Sequence, residues 1–204
     1  MRSNTPARMH VIKKEEKEAN LKAFIQKDLE ARKASGHAVG QTTGKTYRLV
    51  ARSLESPVAR ALTSLSHEIA EGGISVRMVL TQTRLGCDTD VSASACGFSP
   101  AETRIIRDVR FLDAHEQLVV NPTSAWIGDC MRREPSKRDA YECFAPDCAD
   151  IASWATISFE RLWSAGEPIE LTPPPPAAVI EELVHVSVLP IAENQPTHEA
   201  STRH

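Results

Sequence analysis

Residues 115–129 read HEQLVVNPTSAWIGD, and the fold is decided by how this stretch is divided. Residues 116–120 and 124–127 are short runs of β-prone side chains, and the Asn121-Pro122 pair between them is turn chemistry. The stretch therefore predicts a hairpin, with His115 just before its first strand and Gly128-Asp129 just after its second.

Upstream, residues 47–53 (YRLVARS) alternate apolar and polar like a strand, and Ser56-Pro57 then opens a helix. Val58, Ala61, Leu62, Leu65 and Ile69 fall at helical spacing before Gly72-Gly73 stops the run. Residues 74–80 (ISVRMVL) form a second strand, so 47–80 is a strand–helix–strand unit whose connection predicts a parallel crossover. A small-residue loop over 89–99 leads to a further expected strand at 105–112 (IIRDVRFL). Downstream of the hairpin, residues 147–163 return to a helical period, with Ile151, Trp154, Ala155, Ile157, Ser158 and Leu162 mostly on one side.

The ends differ in composition. Residues 13–35 predict an amphipathic helix with a narrow stripe of Leu21, Phe24, Ile25 and Leu29, followed by a Gly- and Thr-rich loop. Residues 173–176 are four prolines, a stiff step before the apolar stretch AAVIEELVHVSVLP and a polar end. The expected organisation is an N-terminal helix and linker over 1–46, an α/β domain with a mixed sheet flanked by helices over 47–163, and a Pro-rich tail over 164–204.

A chain of 204 residues has room for one principal core. Its formal charge of −3 gives no global reason to expect nucleic acid or an anionic membrane as partner. No apolar run spans a bilayer and the first twenty residues lack a secretory core, so a cytoplasmic protein is expected. The cysteines (Cys87, Cys96, Cys130, Cys143, Cys148) are odd in number and irregular in spacing, which suits reduced thiols.

Several local signals carry less than they suggest. Gly40 to Thr46 (GQTTGKT) resembles a phosphate-cradling loop, yet three residues separate its glycines where the motif has four, and a charged helix precedes it instead of a buried strand. Cys143 and Cys148, even with Cys130 and His115, lack tight zinc-ligand spacing, and Pro146 interrupts them. No metal or other cofactor is expected. His67 reads as a surface or half-buried histidine. Arg132 and Arg133, in MRREPSKRD, could grip an anion, because paired guanidinium forks suit phosphate oxygens, although Glu134 and Asp139 offset part of that charge.

The order strand, helix, strand, strand, then His115-Glu116-Gln117, LVV, a turn, AWIGD and later Glu142 before a helix ending FERLW, resembles one half of a phospholipase D-superfamily protein over residues 47–163. That family's motif is His-x-Lys, four residues, Asp, then a Gly-Ser-x-Asn turn and a later Glu. The resemblance implies His115 as the nucleophile that forms a phosphohistidine, Gly128 as the turn glycine, and Glu142 as the acid that orients a partner histidine.

This chain departs from the motif where charge matters. Gln117 stands at the lysine position, Pro122 with Asn121 beside it at the aspartate position, and Asp129 and Met131 at the serine and asparagine positions. Phosphoryl transfer needs fixed positive donors around the equatorial oxygens. Gln117 donates without charge, and Asp129 would repel a phosphate. The family builds its site from two motifs, so a chain with one implies a homodimer.

Three functional expectations follow. The first is a non-catalytic, homodimeric binding or regulatory scaffold sensing a small phosphate-bearing ligand at Gln117, Asn121, Gly128, Arg132 and Arg133. The second is a metal-independent homodimeric phosphodiesterase or nuclease using His115 with Glu142. The third is an adaptor that recruits a protein partner through Leu21, Phe24 and Ile25 or through residues 179–188.

Overall fold

The computed structural model describes residues 8–35, 46–81, 102–129 and 139–169. The loop expected at 89–99, Arg132 and Arg133, and the tail beyond 169 lie outside them.

The expected crossover is present. Strand β2 (Thr46–Ala51) pairs in parallel with β3 (Ser75–Leu80), with Leu49 opposite Met78. The connection holds two helices where the sequence predicts one: α2 (Pro57–Ser64) and α3 (Ser66–Glu71). The break falls at Leu65, whose φ of −109° and ψ of 15° leave the helical region. Just before it, the Thr63 and Ser64 hydroxyls turn back onto the carbonyls of Ala59 and Ala61, a competition for backbone acceptors that bends helices. Gly73, at φ 62°, then reverses the chain in a conformation that glycine adopts without strain.

Strand β4 (Glu102–Ile105) extends the parallel set beside β3. It ends where the sequence places the start of a strand over 105–112, and that expectation is corrected. The Asp108 carboxylate accepts the Arg110 backbone N–H at 2.9 Å and caps a 3-10 turn over Val109–Phe111, so side-chain capping overrides the β-prone residues there.

The hairpin forms as expected from β5 (Gln117–Asn121) and β6 (Ser124–Ile127), paired antiparallel around Pro122-Thr123. The Asn121 carboxamide oxygen accepts the Thr123 N–H at 2.8 Å and closes the turn. Three strands escaped the sequence reading: β1 (Arg8–Lys13), β7 (Asp139–Ala145) and β8 (Glu167–Ile169). All join one sheet of order β1-β7-β6-β5-β2-β3-β4-β8.

Helix α1 (Lys17–Ala34) and helix α4 (Ala149–Ala165) cover opposite faces. On the α1 face, Leu21, Ile25 and Leu29, at four-residue spacing, join Tyr47, Leu49, Leu118, Val120 and Trp126 in the largest apolar cluster. On the α4 face, Val50, Val79 and Ile106 meet Phe159, Leu162 and Trp163, and Val119 meets Ala152 and Ala155. Complete burial of Leu21 and Ile25 contributes about 2–3 kcal/mol each. The N-terminal stripe is therefore part of the core. Residues 8–34 and 167–169 also belong to the sheet and its cover, so boundaries at 46/47 and 163/164 do not mark its edges.

A buried polar knot anchors α1. Asp28 accepts the Tyr47 hydroxyl at 2.8 Å, the Asn121 amide at 2.6 Å and Arg32 Nε at 2.6 Å, while Arg32 also reaches the Val120 carbonyl at 2.7 Å. Burial, and after it the Asp28 charge, pushes the Tyr47 phenol far above its usual range, so it stays a donor.

Candidate functional site

The hairpin's alternation sorts its side chains between the two faces. Gln117 and Val119 turn toward α4: the Gln117 amide donates to the Ala155 carbonyl at 3.1 Å, and the residue is 1% exposed. Leu118 and Val120 turn toward α1, as does Glu116.

His115 sits half-buried beside a cleft of about 430 Å³ on the α4 face. Phe111, Trp154, Ile157 and Leu162 give that cleft apolar walls, and Arg110, Asp113, Ser158 and Arg161 add polar groups. His115 and Arg161 have no hydrogen-bond or ion-pair partner among the described residues. Arg110, in contrast, clamps Asp108 with Nε at 3.0 Å and a second nitrogen at 2.6 Å, which lowers the Asp108 carboxyl to about 2.

Glu142 lies on the other face. It is fully buried on β7, with Lys17 Nζ 3.1 Å from Oε1, and the same ammonium lies 3.5 Å from Glu116 Oε2. Lys17 also sits 5.1 Å from the centroid of the Trp126 ring. Neither Glu142 oxygen accepts a well-aligned hydrogen bond from a described residue. Burial raises its pKa and outweighs the lowering effects of Lys17 and the Trp126 indole. The other Glu116 oxygen accepts the Arg52 backbone N–H at 3.2 Å.

Gly128 closes over this cluster. Its N–H donates to the Glu116 carbonyl at 2.8 Å, and a Cβ built on it would lie 2.6 Å from the Trp126 ring and 3.3 Å from Glu142 Oε2. Only a glycine fits so close to that indole. Asp129 follows at φ 50°, with Arg52 3.9 Å from its carboxylate.

The structure brings together His115 and Gln117 on one face, and Gly128 and Glu142 on the other. It does not bring Glu142 to His115. Asn121, at the far end of β5, lies about 20 Å of strand away from His115 and is committed to Asp28 and the hairpin turn. Among the described residues no cluster of three or more metal-ligating side chains occurs, and no helix is long and apolar enough to cross a membrane. His67 is 82% exposed beside Glu71, and Cys143 and Cys148 are buried.

Sequence reasoning missed Lys17, Glu116, Trp154 as a cleft wall, and Arg161. Lys17 is one of three lysines in the mixed charge run KKEEKE over residues 13–18, with nothing local to single it out. Glu116 could have been found, because the period of a strand puts it opposite His115 and Gln117.

No family model and no curated protein sequence matches the chain. Comparison with solved structures finds similar folds. Nuc from Salmonella typhimurium, a phospholipase D family member, superposes with a TM-score of 0.52 at 11% identity, over 81% of this chain and 99% of that one. NucT from Helicobacter pylori gives 0.52 at 9% identity, over 80% and 99%. The fold is thus phospholipase D-like, an α/β architecture on an open mixed sheet.

Proposed function

We infer that this phospholipase D-like domain does not hydrolyse phosphodiesters and works as a homodimeric binding scaffold, with the His115 cleft as its small-anion site. One observation carries the reading: among the described residues, the amide at the motif's lysine position and the lysine beneath the hairpin are both already committed. The Gln117 amide is bound to the Ala155 carbonyl, and Lys17 lies between two carboxylates. One ammonium against Glu116 and Glu142 leaves that cluster without net positive charge to offer a phosphoryl group when both acids are ionised. Dimerisation is proposed from the single copy of the motif, which a second chain would double.

The test is hydrolysis of an aryl phosphodiester in the presence of chelator, with the oligomeric state measured by light scattering. No turnover from pH 4 to 9 by a dimeric protein supports the reading. Turnover abolished by His115→Asn overturns it.

A specific observation favours a second reading as phosphodiesterase: His115 is half-buried, borders a cleft and has no described partner. An imidazole left open in this way could act as nucleophile or general acid, as its motif position implies. The same assay separates the two.

A further inference from the structure

We propose that the α4-face cleft binds an amphipathic monocarboxylate, an apolar or aromatic body carrying one carboxylate. This rests on the reading of the cleft as a binding site and names its ligand class.

Helix α4 carries an exposed stripe beside the cleft. Trp154, Ile157 and Arg161 recur at spacings of three and four and therefore share one face of the helix. Trp154 is 54% exposed and Ile157 55%, although both are large apolar side chains on a helix whose opposite side fills the core. Both line the cleft beside His115. A volume of about 430 Å³ falls within the range of small-molecule sites, which pair mostly apolar walls with a few fixed polar groups.

The polar groups select the charge. Arg161, without a partner among the described residues, lies one turn beyond Ile157, and its planar fork matches a carboxylate with two parallel hydrogen bonds. His115 adds a ring N–H. Arg110 is clamped by Asp108, whose carboxylate offsets its charge. Asp113 brings a carboxylate to the same cleft, which penalises a phosphate dianion more than a monoanion. A molecule lying along Trp154 and Ile157 with its single charge on Arg161 satisfies both halves of the stripe.

The experiment titrates the full chain with octanoate, 1-octanol and inorganic phosphate and follows tryptophan fluorescence. Trp154 is half-exposed whereas Trp126 and Trp163 are buried, so the signal reports the cleft. Saturable binding of octanoate is expected, weakened about tenfold by Arg161→Gln, as for loss of a charge-assisted hydrogen bond. Octanol should bind about tenfold more weakly, with no response to Arg161→Gln. Arg161 is exposed, so the variant folds, which circular dichroism checks.

Equal affinity for octanoate and octanol would overturn the proposal, as would phosphate binding that depends on Arg161, or no saturable change in the millimolar range. Parallel phosphodiester hydrolysis distinguishes the failures. Turnover lost in His115→Asn refutes the non-hydrolytic reading whatever octanoate does, while neither turnover nor octanoate binding refutes the ligand class alone.

Discussion

His115 and Glu116 are adjacent in the chain and serve opposite faces of the sheet. The imidazole borders the α4 cleft, while the carboxylate lies 3.5 Å from Lys17 beneath α1. The hairpin's chemistry is thereby split: an imidazole and a neutral amide on one side, and an internal ion cluster on the other. A slip of one residue in β5 would exchange them, and its pairing with both β2 and β6 fixes the register. Within the chain, the acid on β7 does not orient this histidine.

The Glu142 carboxyl should make stability depend on pH. Its folded pKa is raised above 4.5, chiefly by burial, so the folded state binds more protons than the unfolded one between 4.5 and the raised value. The cost of ionising it is absent below 4.5 and grows as pH rises through the folded pKa. Denaturation of wild type and Glu142→Gln across pH 4 to 9 should show the wild type losing stability relative to the variant over that rise. A constant difference would mean that Glu142 does not titrate as proposed. Lys17→Met should instead cost about 3–5 kcal/mol at neutral pH, by leaving the buried charge without its cation.

Gly128→Ala should destabilise by about 1–3 kcal/mol, because the new methyl would meet the Trp126 ring at 2.6 Å and overpack a buried site. The loss should shrink in a Trp126→Leu background, where the obstacle is gone, so a double-mutant cycle in urea gives the coupling directly. Additive losses would show that the indole is not the obstacle.

Much of this architecture was legible in sequence because local chemistry and tertiary demand agree. Asn121-Pro122 marks the hairpin, and Leu21, Ile25 and Leu29 trace the buried stripe of α1. Legibility fails where long-range pairing decides. Residues 139–145 (DAYECFA) form a strand because β1 and β6 flank them, with Tyr141 opposite Val11 and Ile127 opposite Cys143. The candidate site was half visible: the motif pointed to His115 and Gln117, but the ion cluster needs Lys17, 99 positions from Glu116.

Asp28→Ala should cost about 3–5 kcal/mol, since it strips a buried acceptor from Tyr47, Asn121 and Arg32 at once. Tyr47→Phe removes one of these bonds and should cost about 1 kcal/mol. Calorimetric unfolding of both variants checks the ordering; equal losses would place the weight of the knot on the Tyr47 hydroxyl instead of the carboxylate.

Gln117→Lys restores the residue type that the phospholipase D motif carries, yet it should not create hydrolysis. Gln117 is 1% exposed and held by the Ala155 carbonyl at the floor of the His115 cleft. A lysine there would bury an ammonium at a cost of several kcal/mol, or swing into the cleft that Asp113 also lines and leave a cavity. The expected outcome is a lower Tm with no turnover of an aryl phosphodiester. A stable variant that gains turnover would show that a single missing charge separates this cleft from a working site, and would overturn the view that the surrounding packing has closed it to phosphoryl chemistry.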